Sequence, residues 1–451
     1  MVYGLARAGG ISTLVLAAAC GARTDPLELL GLAGGTAQTP EYPADPGARK
    51  PTAEAGAARK VDAGSDQPPP CGAADPSAPL LLGEGPIFGN AEVAAGGPCS
   101  FGFVWTPYGG TFNEGQVLLA TAEVRGGVWS LSAPVTVAES TSAAGMFAGG
   151  VVWDGADYIV AWSVTPRQPN AENKLVMQRV TADGTLVGPP VTTDLPTGYG
   201  GVHLIAATAT TVRVLIWDGA ALLSASRHAY TATLDADGKV LVPASDLTPD
   251  AAGGTVAEGV YAGPPLGPSS NLFLWSDSDA VRMTTFNDDG ELTAPVDTVL
   301  PVSLLAGPRD GVVMGALTVS QSTGKPPQAY FGAGVPKPAS LVVGIANGSP
   351  GAFQAGYTNV AGIPGLDSNI PPSLAVIRRE QTDVVGVLTE GKNGNLTGLF
   401  LSLVVDGVTT SSTVVAPFTD PIYFRLAGGG SSFGILFAEG NQLEFTVRTP
   451  P

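Results

Sequence analysis

Charged residues are scarce in this sequence, and positively charged ones are the scarcest. Lys and Arg number 22 in 451 residues against 39 Asp and Glu, which gives a formal net charge of -17 at pH 7. The positive side chains are scattered, at most in adjacent pairs, so no basic surface is available to neutralise phosphates. We therefore expect no nucleic-acid partner.

Histidine and the common catalytic motifs are also nearly missing. The two histidines, His203 and His228, have no carboxylate or cysteine at metal-ligand spacing. His-Glu-x-x-His and phosphate-binding glycine loops are absent from the sequence. The sequence therefore predicts no metal site, no cofactor and no serine nucleophile.

The acidic stretches nearest to a calcium motif are Asp235-Ala236-Asp237-Gly238 and Asp277-Ser278-Asp279. A calcium loop counted from Asp235 would need an oxygen ligand where Lys239 stands and a glycine where Val240 stands. The positive charge and the branched side chain both oppose such a loop. We interpret these stretches as hairpin turns with exposed acids.

The first twenty residues, MVYGLARAGGISTLVLAAAC, have one early positive charge at Arg7, a short apolar run and a cysteine after three alanines. The run is too short for a transmembrane helix and is typical of an export signal. It resembles a bacterial lipoprotein signal, with Ala17 where that family usually has leucine. The resemblance implies cleavage after residue 19, lipidation of Cys20 and, from Gly21, the outer membrane of a Gram-negative cell. The alternative is an ordinary secretory signal in which Cys20 is incidental.

The two remaining cysteines, Cys71 and Cys99, form an even pair in an oxidising compartment. The simplest use of the pair is a disulfide, which would contribute on the order of 3 kcal/mol. Two buried free thiols are the alternative. The segment 20–77 is rich in Pro, Ala and Gly and nearly free of aromatics. We expect a disordered linker there and a folded domain over 78–451.

Apolar runs recur along the predicted domain. Four of them end at Trp105, Trp162, Trp217 and Trp275, and weaker copies end at Leu317, Leu388 and Phe437. The spacing between the copies averages about 55 residues, with outliers of 42 on one side of Leu317 and 71 on the other. We interpret these residues as structural anchors of a repeat.

A glycine turn follows most anchors at a similar distance. The turns contain Gly127, Gly184, Gly238, Gly290 and Gly407. Asp-Gly between β-branched or alternating runs is a strong hairpin signal. The repeat unit is therefore a meander of about four antiparallel strands, and Asp154-Gly155 is interpreted as another hairpin within it.

Several anchor runs, such as Tyr158 to Trp162, are apolar on both alternating faces, so their sheets must be covered on both sides. Four-stranded units of this length stacked face to face are typical of a β-propeller, here with seven blades. A β-solenoid and tandem β-sandwiches are the alternatives. A strand over residues 78–82 is expected to complete the last blade. Gly344 to Pro372 is expected to be an insertion without regular structure.

The pattern Trp153-Asp154-Gly155-x-x-Tyr158-x-Val160-x-Trp162, followed by Asp183-Gly184, resembles the degenerate propeller repeats of secreted and lipid-anchored bacterial proteins. The resemblance implies a fold and almost nothing about activity.

Three functions remain open from the sequence. The first is a surface-tethered binding module for a protein or glycan, held to the membrane by its N-terminal lipid. The second is a glycan-active hydrolase or lyase, for which Glu258 and Glu380 are carboxylate candidates. The third is a structural envelope protein. Tyr108, Tyr199 and Tyr357 are candidate stacking residues for a ligand. The sequence makes no prediction of the oligomeric state.

Overall fold

A computed structural model provides the fold. It describes residues 71–84, 87–97, 99–107, 115–141, 144–166, 173–193, 195, 201–217, 229–248, 258–262, 271–276, 280–293, 297–301, 313–320, 328–335, 340–347, 354–358, 365–366, 372–379, 382–393, 396–417 and 421–451. Every regular element in these residues is a β-strand, and every strand pair is antiparallel. The all-β, propeller-type fold predicted from the sequence is confirmed. No helix long and apolar enough to cross a membrane occurs in this described part of the chain.

The strands form seven sheets within the described residues. Sheet 1 contains β2 (Ile87–Ala95), β3 (Ser100–Pro107), β4 (Gln116–Arg125), β5 (Val128–Leu131) and β6 (Val135–Glu139). Sheet 2 contains β7 (Ala144–Trp153), β8 (Asp157–Pro166), β9 (Lys174–Thr181) and β10 (Leu186–Thr192). Sheet 3 contains β11 (Gly201–Ala207), β12 (Thr211–Trp217), β13 (Ala229–Asp235) and β14 (Val240–Asp246). Sheet 4 contains β15 (Glu258–Ala262), β16 (Asn271–Ser276), β17 (Ala280–Phe286) and β18 (Asp297–Pro301).

Sheet 5 contains β19 (Val313–Ser320), β20 (Gln328–Val335), β21 (Ser340–Asn347) and β22 (Gln354–Thr358). Sheet 6 contains β23 (Gly365–Leu366), β24 (Ser373–Arg379), β25 (Thr382–Asn393), β26 (Leu396–Val405) and β27 (Val408–Pro417). Sheet 7 contains β28 (Pro421–Gly429), β29 (Ser432–Glu439) and β30 (Gln442–Arg448), and its fourth strand is β1 (Leu80–Glu84).

The first strands of successive sheets lie side by side. Contacts join β2 to β7 and β7 to β11, then β15 to β19, β19 to β24 and β24 to β28. The strand β28 of the last sheet also contacts β2 of the first. The innermost strands of the seven sheets are therefore β2, β7, β11, β15, β19, β24 and β28, with β24 rather than β23 in this place in sheet 6.

The predicted glycine turns lie where the third strand of a sheet meets the fourth. Gly127, Gly184, Gly238, Gly290 and Gly407 all have φ between +75° and +88°. This left-handed conformation costs glycine little and other residues more, because glycine has no Cβ. The predicted hairpin at Asp154-Gly155 joins β7 to β8, and the one at Asp235 to Gly238 joins β13 to β14.

Large apolar side chains on the second strands pack toward the preceding sheet. Trp105 lies between sheets 1 and 7, Trp162 between sheets 2 and 1, and Trp275 between sheets 4 and 3, each at most 2% exposed. Phe437 lies between sheets 7 and 6 in the same way. The strand β12 contains Trp217, whose side chain lies outside the described set.

Two of the weaker anchors are out of register with the rest. Leu388 packs between sheet 6 and the following sheet, on the opposite face from the tryptophans. Leu317 lies on β19, a first strand, and its cross-strand partner on the second strand is Phe331, which is fully buried. With Phe331 as the anchor, the irregular spacings of 42 and 71 residues become 56 and 57. The prediction of an insertion without regular structure between Gly344 and Pro372 is wrong for its described residues, which include the end of β21 and all of β22 and β23.

Aromatic rings at the start of second strands fit against glycines of the preceding sheet. A Cβ added to Gly102 would lie 2.6 Å from Tyr158 Cε1, and one added to Gly434 would lie 2.6 Å from Phe101 Cε1. A Cβ on Gly386 would lie 2.8 Å from Phe433 Cε1. This ring-on-glycine contact recurs between sheets 6 and 7, 7 and 1, and 1 and 2. The last sheet therefore packs on the first in the same way as sequence neighbours pack.

The strand β1 pairs with β30, so the N-terminal part of the domain completes the C-terminal sheet. Cys71 and Cys99 form a disulfide with their Cα atoms 5.3 Å apart. The backbone N–H of Thr449 donates to Asp75 Oδ2 at 2.9 Å, and its hydroxyl donates to Oδ1 at 2.8 Å. The predicted linker boundary at residue 78 thus lies within a segment that the structure attaches to the domain. Residues 1–70, including Cys20, lie outside the described residues.

Asp154 organises the hairpin between β7 and β8. Its Oδ1 accepts hydrogen bonds from the backbone N–H groups of Ala156 and Asp157, both at 2.8 Å. Its Oδ2 accepts from Arg179, which also donates to the carbonyl of Ala209 in sheet 3 at 3.1 Å. Burial by itself raises the pKa of Asp154, but these backbone donors and the Arg179 guanidinium hold the pKa below its usual value.

We expect Asp154→Asn to lower the free energy of unfolding by about 1–2 kcal/mol at pH 7. A depressed native pKa stabilises the fold above the unfolded value of about 3.9 and loses that effect as pH falls through the native pKa. The difference between wild type and variant should therefore shrink between pH 5 and pH 3 in urea unfolding. The exposed carboxylate of Asp183 provides a control, and Asp183→Asn should have the smaller effect. An Asp154→Asn difference that is constant with pH would contradict this role.

Candidate functional site

The innermost strands are built mainly from small and apolar residues. Among them, the strands β2, β7, β11 and β28 read IFGNAEVAA, AGMFAGGVVW, GVHLIAA and PIYFRLAGG. The charged residues of all seven innermost strands are Glu92, Glu258, Arg378, Arg379 and Arg425. Charged side chains on the innermost strands are therefore confined to these five positions.

Two of these charged groups and a tyrosine meet where the first and last sheets touch. Glu92 lies on β2, and Tyr423 and Arg425 lie on β28, two residues apart and thus on the same strand face. We call these three residues the inner-strand cluster. The adjacent Phe424 points to the other side of β28, where it packs against sheet 6. The alternation of β28 therefore directs Tyr423 and Arg425 toward sheet 1.

The inner-strand cluster is closely hydrogen-bonded. The Tyr423 hydroxyl donates to the backbone carbonyl of Ala91 and lies 3.2 Å from Glu92 Oε1. Arg425 Nε donates to the same Glu92 oxygen at 3.3 Å, and the Arg425 guanidinium carbon lies 4.1 Å from the centroid of the Tyr423 ring. The ring thus supports the cation by a cation–π contact. The three side chains hold one another in a fixed arrangement.

Exposure differs within the cluster. Tyr423 is 7% exposed, whereas the side chains of Arg425 and Glu92 are 21% and 25% exposed. The tyrosine is therefore a buried support, and the guanidinium and the carboxylate present a hydrogen-bond donor and an acceptor side by side. Such a pair can bind a group that both donates and accepts hydrogen bonds.

We expect Tyr423→Phe to lower the free energy of unfolding by about 1–2 kcal/mol, because the buried carbonyl of Ala91 loses its hydroxyl donor. Urea unfolding monitored by fluorescence measures this loss. The comparison is Tyr158→Phe, since the buried Tyr158 hydroxyl donates at 3.3 Å to the Ser100 hydroxyl, which can rotate to another partner. A loss no larger in Tyr423→Phe than in Tyr158→Phe would contradict the bond.

A second polar cluster lies between sheets 5 and 6. The Tyr330 hydroxyl donates to Asp383 Oδ2 at 3.1 Å, and burial together with the Asp383 charge raises the pKa of Tyr330. Arg378 is the cross-strand partner of Asp383 on β24. Its buried Nε and Nη1 atoms have no hydrogen-bond partner within the described chain. Arg378 and Asp383 are half-buried, and Tyr330 is 5% exposed.

The structure brings together few of the residues singled out from the sequence. The first strand β15 contains Glu258, whose side chain is not described, and Glu380 lies outside the described residues. His203 is on β11 with its side chain undescribed, and His228 lies outside. Tyr357 is on β22, whereas Tyr108 and Tyr199 lie outside the described residues. The inner-strand cluster was missed because its members are more than 330 residues apart in sequence.

The acidic turn at Asp235 also has its expected geometry. Asp235 Oδ1 accepts hydrogen bonds from the backbone N–H groups of Asp237 and Lys239, at 2.9 and 2.8 Å. The carboxylate therefore stabilises its own hairpin, as in an Asx turn. In the described part of the chain, no group of three or more His, Cys, Asp or Glu residues is placed to hold a metal ion.

No protein-family model matches the sequence, and no curated protein matches it. Solved structures do resemble the fold. The structure of the Dos1 propeller is 8% identical and aligns with a TM-score of 0.43, covering 82% of this chain and 93% of that one. An α-L-arabinanase of Penicillium chrysogenum is 9% identical with a TM-score of 0.45, covering 83% of this chain and 98% of the enzyme. A Trypanosoma rangeli sialidase is 10% identical with a TM-score of 0.39, covering 82% of this chain but only 57% of the sialidase. Two of these three similar structures are named as glycan-active enzymes.

Proposed function

We propose that this protein is a surface-tethered β-propeller that binds a neutral glycan at the inner-strand cluster. The observation that supports this function is the fixed pair of Arg425 and Glu92, partly exposed and resting on the buried Tyr423. Adjacent sugar hydroxyls each donate and accept hydrogen bonds, so one can accept from the guanidinium while its neighbour donates to the carboxylate. A protein ligand is the other partner considered from the sequence.

The charge of the protein favours a neutral glycan over an anionic one. The net charge of -17 repels polyanions at a distance. Within the cluster, Glu92 also offsets the positive charge of Arg425. An acidic glycan would therefore meet no excess positive charge at this site.

The place where the N-terminal segment joins the domain supports a domain held away from the membrane by a linker. Cys71 is bonded to Cys99, in the connection from β2 to β3, and Asp75 binds Thr449 just after β30. The N-terminal segment therefore joins the end of the sheets at which first strands turn into second strands. The opposite end of the sheets then points away from the N-terminal attachment. In this proposal lipidation of Cys20 supplies the membrane anchor, on the cell envelope of a Gram-negative bacterium.

A glycan array tests the binding function. The purified chain with Cys20→Ala should bind a subset of neutral glycans, and Glu92→Gln should weaken that binding at least tenfold. A pull-down in parallel tests protein partners. Capture of a protein that Glu92→Gln leaves bound, with no glycan bound by the wild type, would contradict the proposal. For the anchor, Cys20→Ala should release the protein from the membrane fraction, and its retention there would contradict lipidation.

A glycan-active hydrolase is the second candidate, and one observation favours it. The partly exposed Glu92 carboxylate is held in place by the Tyr423 hydroxyl at 3.2 Å and could accept or donate a proton during hydrolysis. Incubation of bound glycans with the wild type, followed by mass spectrometry of the products, distinguishes the two. Turnover that Glu92→Gln abolishes at a glycan concentration that saturates the variant would establish the enzyme, and binding without products supports the binding module.

A further inference from the structure

We propose that the disulfide between Cys71 and Cys99 is a mechanical clasp, which carries tension from the N-terminal segment past the strands that join sheet 7 to sheet 1. The inference rests on the proposed tether, because a protein held by its N-terminal segment is pulled through that segment when its partner moves. It does not depend on what the partner is.

The disulfide encloses both joining strands. β1, the last strand of sheet 7, and β2, the first strand of sheet 1, lie between Cys71 and Cys99, which are 28 residues apart in sequence. Tension in a chain follows the shortest covalent path. Force that arrives at Cys71 therefore crosses the sulfur atoms to Cys99 and continues into β3. The residues of the enclosed loop, with β1 and β2, carry none of it.

β1 is the strand that most needs such protection. It has five residues, and its register with β30 contains four pairs with an irregularity between Leu81 and Gly83. Only Leu82 in this strand is fully buried, at 5% exposure, while Leu81 is 46% exposed. The noncovalent bond between Asp75 and Thr449 lies on exposed atoms. Without the disulfide, these few contacts would be the first to meet the tension.

The strand that receives the force is much better held. β3 lies inside sheet 1, paired with β2 on one side and β4 on the other. Phe101 and Phe103 on β3 are fully buried, and their ring centroids lie 5.6 and 4.4 Å from that of Phe445 in sheet 7. The disulfide thus moves the point of loading from an edge strand to an inner strand packed on both faces.

Single-molecule force spectroscopy tests the clasp. The full chain with Cys20→Ala is pulled between a tag before residue 60 and a tag inserted in the exposed turn at Asp406-Gly407. The chain with Cys71→Ser and Cys99→Ser should show an additional early step of about 50 Å, from the release of roughly sixteen residues at ~3.4 Å each. The disulfide-bonded chain should lack this step up to the force at which whole sheets unfold.

Reduction of the folded wild-type chain during the measurement is the second arm, and it should produce the same early step without any mutation. This arm keeps the test valid if the double variant folds poorly. An early step in the disulfide-bonded chain, or its absence after reduction, would overturn the clasp. Both results are independent of glycan binding, so failure of the clasp and failure of the proposed function are distinguishable.

Discussion

Replacing Phe101 by alanine should lower the free energy of unfolding by about 3–5 kcal/mol, the usual cost of truncating a buried aromatic residue. Phe101 is fully buried, and its ring centroid lies 5.6 Å from those of both Trp129 and Phe445. The ring also fills the space beside Gly434. Its loss would leave a cavity at the contact between sheets 7 and 1, which urea unfolding monitored by tryptophan fluorescence would register.

The control for this substitution is Val128→Ala, in the same sheet, because Val128 is 59% exposed. The control should change stability by less than about 0.5 kcal/mol. Gly434→Ala should by itself cost about 1–3 kcal/mol, since the added Cβ would meet the Phe101 ring. The double variant should cost less than the sum of the two, because the alanine at 434 partly fills the cavity left at 101. Additive losses would show that the ring and the glycine are not in contact.

Introducing a charge at Leu82 should destabilise the protein by about 3–5 kcal/mol, whereas the same change one residue earlier should cost well under 1 kcal/mol. Leu82 faces the core that sheets 1 and 7 share, and Leu81 faces outward at 46% exposure. Leu82→Asp would place a carboxylate in that core and detach β1 from β30. Thermal unfolding of Leu82→Asp and Leu81→Asp, two variants of the same composition, measures the difference.

Equal melting temperatures for these two variants would contradict the docking of β1. If both variants melt at an equally low temperature, a charge at the exposed position of Leu81 is as destabilising as one in the core, which the outward orientation of Leu81 does not predict. Detachment of β1 should also expose the backbone of β30, an unpaired edge that favours aggregation. Light scattering of Leu82→Asp on heating provides the supporting measurement.

The sequence predicted the elements that depend on local chemistry. The glycine turns are hairpins because glycine reaches a positive φ without steric cost, and this requirement is visible in the residues themselves. The strands around Trp105 and Trp162 could also be predicted, because their apolar residues are contiguous in the sequence. Local pattern therefore sufficed for the fold class and for most of the repeat.

The prediction of the repeat anchors was wrong where two neighbouring strands are both apolar. Leu317 and Phe331 are paired on adjacent strands, and the run ending in Leu317 is as apolar as the one containing Phe331. Leu388 shows a second difficulty. Its strand is buried on both faces, so the sequence does not indicate toward which neighbouring sheet the anchor side chain points. The even spacing of the other anchors favours Phe331 over Leu317.

The candidate site could not be predicted from the sequence. Glu92 and Arg425 are ordinary isolated charges in the sequence, and only the contact of β28 with β2 brings them together. A local signal did exist for the packing, since the dipeptide Phe-Gly begins the second strand at both Phe101 and Phe433. That repeated dipeptide indicates equivalent sheets, but it carries no information about which polar residues meet.

The most direct test of the proposed function is calorimetric titration of the strongest array-selected neutral glycan into matched variants. Arg425→Gln should weaken binding at least tenfold, because the guanidinium of the inner-strand cluster is the proposed donor. Arg125→Gln removes an arginine that is also paired with a glutamate, Glu123, but lies 59% exposed at an outer turn, and it should bind as the wild type does. Equal affinity of wild type and Arg425→Gln, with both variants folded by circular dichroism, would contradict the inner-strand cluster as the binding site.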